Sequence, residues 1–182
     1  DLEEAIQGPE TVTIAQIQET ADGEAGASPY EGEEVTFSGV VTHRTMSNYF
    51  VQDGSGPWSG IYVTQFFNSV TTGDEITLTG TVSEIDGMTT IAQPSEVVVN
   101  SSGNPIPESV IITSSELGEA YEGVIITINN AECIELNGQE WNIADETGTA
   151  TVGNFCYVSS PSVGTFYNLS GIGNEKPAGF RI

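Results

Sequence analysis

Positive charge is scarce in this chain. Its 182 residues carry three basic side chains, Arg44, Lys176 and Arg181, against 26 acidic ones, for a formal net charge of −23. Such a polyanion forfeits the counterion release that drives nucleic-acid binding, so nucleic acid is disfavoured as a partner. Anionic membrane surfaces are disfavoured for the same reason. Long apolar runs are also missing: none approaches the ~20 residues needed to cross a bilayer, and no basic-then-apolar leader opens the chain, so no membrane span is expected. Wholesale disorder is excluded, because 37% of residues are hydrophobic and 8% aromatic, enough for packed cores. The opening Asp1 fits a processed product. Together these features lead us to expect an extracellular or cell-surface protein.

Histidine and cysteine are nearly absent too. A single histidine, His43, and two cysteines, Cys133 and Cys156, exclude the usual zinc spacings. His43 has no nucleophile elbow of the Gly-x-Ser-x-Gly kind, so no catalytic residue is assigned and no enzyme is expected. In an oxidising compartment the even cysteine count predicts a disulfide between Cys133 and Cys156; the alternative is two buried thiols.

Helical periodicity is all but missing, whereas short alternating apolar runs recur between Gly, Pro, Asn and Asp. Val35 to Val41, Tyr49 to Gln52, Gly60 to Val63, Glu75 to Ser83 and Met88 to Ile91 read as five strands in about sixty residues, the order of an OB-fold barrel. The same grammar then repeats. Tyr30-Glu31-Gly32 recurs as Tyr121-Glu122-Gly123, and Val51-Gln52-Asp53-Gly54 is answered by Ile143-Ala144-Asp145-Glu146. Gly73, Leu78 and Gly80 reappear as Gly164, Leu169 and Gly171 with identical spacing. The expected fold is all-β: an acidic N-terminal arm over 1–28, a five-stranded OB-fold-like barrel over 29–98, a linker over 99–117 and a second such barrel over 118–182. Within the arm, Val12 to Gln18 is long enough for a short strand or one helical turn, and can add to a sheet edge of this chain or of a neighbour.

The stretch Phe50-Val51-Gln52-Asp53-Gly54-Ser55-Gly56-Pro57-Trp58-Ser59-Gly60-Ile61-Tyr62-Val63, with Ile14 to Gln18, Ser28 to Gly32 and Val35 to Val41, resembles the OB-fold region ahead of the catalytic domain in secreted bacterial nucleases of the endonuclease/exonuclease/phosphatase type. Similar modules occur in multidomain bacterial surface proteins without a nuclease. The second repeat shares only the skeleton, with Glu146 in place of the turn glycine and no Pro-Trp. The catalytic residues of those nucleases have no counterpart here, so the resemblance implies an accessory module.

Aromatic side chains gather in the first repeat, and exposed rings on the second and third strands of such barrels stack bases or sugars. Tyr49, Trp58, Tyr62 and Phe66 are the candidate binding residues. Tyr49 and Phe50 alternate, so only part of the set can share a face. The charge favours a protein partner, self-association or a neutral glycan. No cofactor is expected; calcium near Asp53 or Asp145 is the one metal considered, although neither run matches an EF-hand loop. Paired carboxylates such as Glu33-Glu34 and Asp74-Glu75 point to opposite faces of a strand and read as solvated surface, as in a saline habitat. The expected function is binding or assembly without catalysis. The alternatives are a fibre subunit that donates its N-terminal arm as a strand, and the substrate-binding accessory of a secreted nuclease whose catalytic domain is absent.

Overall fold

The computed structural model describes residues 8–20, 26–153, 160–176 and 179–182. The chain is all-β, a closed five-strand barrel followed by a half-barrel. The barrel strands are β2 (Glu34–Arg44), β3 (Asn48–Gln52), β4 (Gly60–Thr64), β5 (Glu75–Ile85) and β6 (Met88–Ala92), in spatial order β2-β3-β4-β6-β5 with β5 pairing back onto β2. β1 (Glu10–Thr11) runs parallel to β2 at one edge, and β7 (Glu96–Ser101) extends β5 at the other.

Alternation dictates which residues enter the core. In β2, Val35, Phe37 and Val41 point inward, and in β5 Ile76, Leu78 and Val82 meet them, with Phe37 opposite Leu78 in the ladder. Closing so small a barrel needs a sharp bend in the long strands. At Gly39 a Cβ would stand 2.7 Å from Val51 Cγ1, so only glycine lets β3 approach this closely.

The Val12 to Gln18 segment supplies one short helix, α1 (Ile14–Gln18), which closes the barrel's end. Thr13 caps it: its side chain accepts from the Gln16 N–H while the Gln16 side chain accepts from the Thr13 N–H. Ile14 and Ile17 are completely buried in the barrel core.

The second unit contains β8 (Val110–Ile112), β9 (Ile125–Asn137), β10 (Glu140–Ala144), β11 (Thr149–Val152) and β12 (Phe166–Ile172), with sheet order β11-β10-β9-β12 and β8 parallel to β9. Its core is Val124, Ile126, Ile128, Ala131, Cys133, Trp141 and Ile143. Between β11 and the chain beyond β12 there is, among the described residues, a single bridging residue: Arg181 pairs parallel with Thr151 and antiparallel with Asn174. β6 makes the same two kinds of pairing more extensively, with β4 through Thr90 to Ala92 and with β5 through Met88 to Ile91. Of the two barrels expected, closure is therefore seen in the first, and the second is half closed.

The 99–117 segment carries regular elements at its two ends, with irregular chain over 102–109. β7 ends at Ser101, β8 follows, and Thr113 caps a 3-10 turn over Ser114–Glu116 by a capping box with Glu116. Thr13 does the same at α1, after β1. In both units a strand parallel to the long first strand leads through a capped threonine into a short helical plug. Cys133 is buried with a free thiol, and Cys156, its expected partner, lies outside the described residues.

Candidate functional site

The two units meet through backbone. A Cβ on Gly60 would fall 2.2 Å from the Gly123 carbonyl carbon, and a Cβ on Gly123 would fall 2.7 Å from the Ile61 nitrogen. Beside this contact the Trp58 N–H donates to the Ala120 carbonyl at 2.6 Å, and the Ile125 N–H donates to Gln52 Oε1 at 3.0 Å. The turn that carries Trp58 is thus an inter-unit joint, and the Trp58 indole is half-exposed beside it.

Buried carboxyls line the same joint. Glu122 is 1% exposed, and its Oε1 accepts from the Thr89 N–H at 2.9 Å and from Gln18 Nε2 at 3.3 Å. Burial, reinforced by the neighbouring Glu119 and Glu84 carboxylates and opposed by those two hydrogen bonds, pushes the Glu122 carboxyl up to about 9. Glu119 is raised to about 7 by burial and by Glu175 and Glu84.

On the other side of the joint the half-barrel's concave face opens onto the outside of β2 and β3, leaving a cleft of about 500 Å³. Thr42, His43 and Phe50 form one wall, and Trp141, Val152, Leu169 and Ile172 the other, with Asn168, Ser170 and Asn174 at the margin. Trp141 meets Tyr167 edge to face at 5.3 Å, and Phe50 lies against Tyr62 at 4.9 Å, so the rings are braced from behind. Burial holds His43 below the ordinary imidazole value, which favours its neutral form.

Among the described residues no acidic side chain lines this cleft, although the chain holds 26. The cause is written in the sequence. The 33 residues from 40 to 72 contain one acidic side chain, Asp53, and the 28 residues from 147 to 174 contain none. These two stretches supply most of both walls.

The sequence-derived binding set is divided by the fold. Tyr62 is half-buried against Phe50 behind the cleft wall, Trp58 sits at the joint, and Phe66 is 69% exposed at a loop tip. Tyr49 departs from the expected role: it is fully buried in the barrel core, its hydroxyl donates to Gln65 Oε1 at 3.0 Å, and burial raises its phenol strongly. The ring that faces the cleft in its place is its strand neighbour Phe50. The set also missed Trp141 and Leu169; the absence of acid from 147 to 174 is the signal that would have found their wall.

The two aspartates considered for calcium have other work. Asp53 Oδ2 accepts the Ile14 N–H at 2.9 Å, and Asp145 Oδ2 accepts the Ser114 N–H at 2.7 Å, so the equivalent aspartate of each repeat caps that repeat's helical plug. Burial would raise Asp145, but hydrogen bonds from Thr147 and Ser114 outweigh it and hold the carboxyl far below the usual range. Among the described residues no group of three or more acidic, histidine or cysteine side chains is placed to hold a metal ion. No helix among the described residues is long and apolar enough to cross a membrane. No family model matches the chain, and no curated protein matches it.

Proposed function

We propose that the chain is a non-catalytic binding module of tandem OB-fold type, secreted or displayed at a bacterial surface, and that the inter-unit cleft is its ligand site. The observation that carries this reading is the acid-free lining of the cleft in a protein of net charge −23. The ligand that fits is uncharged, with one apolar face for Phe50, Trp141 and Leu169 and hydroxyl or amide groups for Asn168, Ser170 and Asn174, which is the chemistry of a neutral sugar. The order of β2 to β6 supports the OB assignment, and the Arg181 bridges support reading the half-barrel as its second copy. The seating of α1 in its own barrel favours a binding module over a fibre that donates its arm.

The chain has two tryptophans, so Trp58→Phe leaves Trp141 as the reporter of the cleft. Titrating that variant with a panel of neutral oligosaccharides is expected to change its fluorescence saturably for at least one, and Leu169→Glu, which puts a charge in the cleft, is expected to abolish the response. A flat response across the panel, or one that Leu169→Glu leaves intact, overturns the assignment.

One observation favours the nuclease-accessory reading: His43 and Arg44 both lie on β2 within the 40–72 stretch, whose one acidic residue is Asp53. Under that reading, single-stranded DNA binds at low ionic strength with a steep salt dependence, and Arg44→Ala weakens it. A flat isotherm in dilute buffer removes that reading.

A further inference from the structure

At the barrel end away from α1, two loops are bound into one projection. The Gln65 N–H donates to the Ser47 carbonyl at 2.9 Å, and Asn68 Nδ2 donates to the Thr45 carbonyl at 3.1 Å and the Gln65 carbonyl at 3.2 Å. These bonds brace the β2–β3 turn against the β4–β5 loop, and the braced pair points its apolar side chains outward. Met46 is 75% exposed, Phe66 69% and Phe67 91%. Phe67 is held at a φ of +57°, a conformation disfavoured for a non-glycine residue, so the projection keeps this ring in solvent at a conformational cost.

We propose that this projection is a lipid-contact tip, which seats Met46, Phe66 and Phe67 in the interfacial layer of a zwitterionic bilayer. Area and charge select that occupant. The three side chains expose on the order of 400 Å² between them, taking ~200 Å² for a whole aromatic side chain. A stable protein interface needs about 800 Å² on each partner and a complementary surface, whereas an interfacial lipid contact needs neither. The tip belongs to the 40–72 stretch, whose one acidic residue, Asp53, caps α1. It is therefore an acid-poor part of this polyanion that can approach a headgroup layer with little repulsion, and the exposed Arg44 beside it is placed to meet a phosphate. An anionic bilayer would repel the remaining surface, so neutral lipid is preferred. The tip is distinct from the cleft, and neither proposal needs the other.

The test uses the whole chain with Phe67→Trp and vesicles of phosphatidylcholine. The expected result is a blue shift of the added tryptophan, quenched by brominated phosphatidylcholine, with no such change in the unsubstituted protein. Met46→Ser/Phe66→Ser/Phe67→Ser, on exposed positions where folding is checked by circular dichroism, is expected to reduce vesicle partitioning at least tenfold. Replacing a third of the lipid with phosphatidylserine is expected to weaken partitioning. No shift with vesicles, unchanged partitioning of the triple variant, or tighter binding to the anionic vesicles overturns the proposal. So does a blue shift that grows with protein concentration without lipid, which would assign the tip to a second copy of this chain.

Discussion

Gln18 Nε2 donates to Glu122 Oε1 at 3.3 Å across 104 positions of sequence, and each side chain keeps one buried oxygen with no partner, Oε1 of Gln18 and Oε2 of Glu122. Two orphan acceptors in one buried pair are resolved by a proton. With Glu122 neutral, its unpartnered oxygen carries no buried charge and gains a proton to donate, and no cation has to enter the joint. The pair then ties α1 of the first barrel to the entry of the second unit. Around it stand Glu84 on β5 and Glu119, itself beside Glu175, with the Thr89 N–H on β6 as the other donor.

The pH dependence follows from that proton. The Glu122 carboxyl titrates near 4.5 when unfolded and near 9 when folded, so between these values the native state binds more protons. Stability is therefore fully present below about pH 4.5 as far as this group is concerned, and falls as pH rises toward 9. Glu119, raised to about 7, adds a loss of the same sign at the lower end of this window. Glu122→Gln keeps the shape without the ionisation. Its denaturation midpoint is expected to exceed that of the unsubstituted chain at pH 8 by roughly a few kcal/mol of stability, and to match it near pH 4.5. Urea melts at three pH values check this; a constant difference between the two proteins would count against a neutral Glu122.

Gly60 and Gly123 offer a second test of the joint, because the backbones meet where any side chain would stand. Gly60→Ala places a carbon 2.2 Å from the Gly123 carbonyl carbon, a contact with backbone that no rotamer change relieves. The substitution is expected to destabilise the chain by at least ~2 kcal/mol. Gly8→Ala, which meets nothing within 4 Å, is the control and is expected to change stability little. Thermal melts of the two variants provide the comparison.

The paired caps predict losses of the same kind whose sizes differ with their neighbourhoods. Asp53→Ala removes the acceptor of the Ile14 N–H and Asp145→Ala that of the Ser114 N–H, and each is expected to cost about 1 kcal/mol. Asp145 also accepts from the Thr147 N–H and hydroxyl, so its loss should be the larger and should loosen the β10–β11 turn, visible as faster amide exchange at Thr147 and Gly148.

These caps also mark where sequence reading stops. The strands of the first barrel are legible because burial on one face imposes an alternation that Val35 to Val41 and Glu75 to Ser83 cannot hide. The Gly73–Leu78–Gly80 spacing is legible because bends and turns require glycine at fixed places. Asp53 and Asp145 are recognisable as equivalents, yet their work is done on residues 39 and 31 positions away. Thr13 to Gln16 and Thr113 to Glu116 are too short to show helical periodicity, so the arm and linker conceal a repeated plug. Tyr49 and Phe50 show the same limit at the site. Alternation places them on opposite faces, but which face is inside is decided only when β5 closes on β2.

Salt provides the last prediction, because the charge is so unevenly answered. The acidic surface finds few cations: Glu140 takes Arg181 Nε at 2.9 Å and Lys176 Nζ at 3.9 Å, and no other ion pair forms among the described residues. Self-repulsion of a −23 surface is long-ranged and exposed, so it is screened as the Debye length falls from about 10 Å at 0.1 M to about 3 Å at 1 M. The melting temperature is expected to rise by several degrees over that range. The Arg181–Glu140 pair works oppositely, since it is an attraction and Arg181 is 8% exposed, which shields it from added salt. Arg181→Met should therefore lower the melting temperature by a similar amount at both salt concentrations, while leaving the upward slope with salt unchanged. A melting temperature that falls as salt is added would mean that attraction, and not repulsion, dominates the surface.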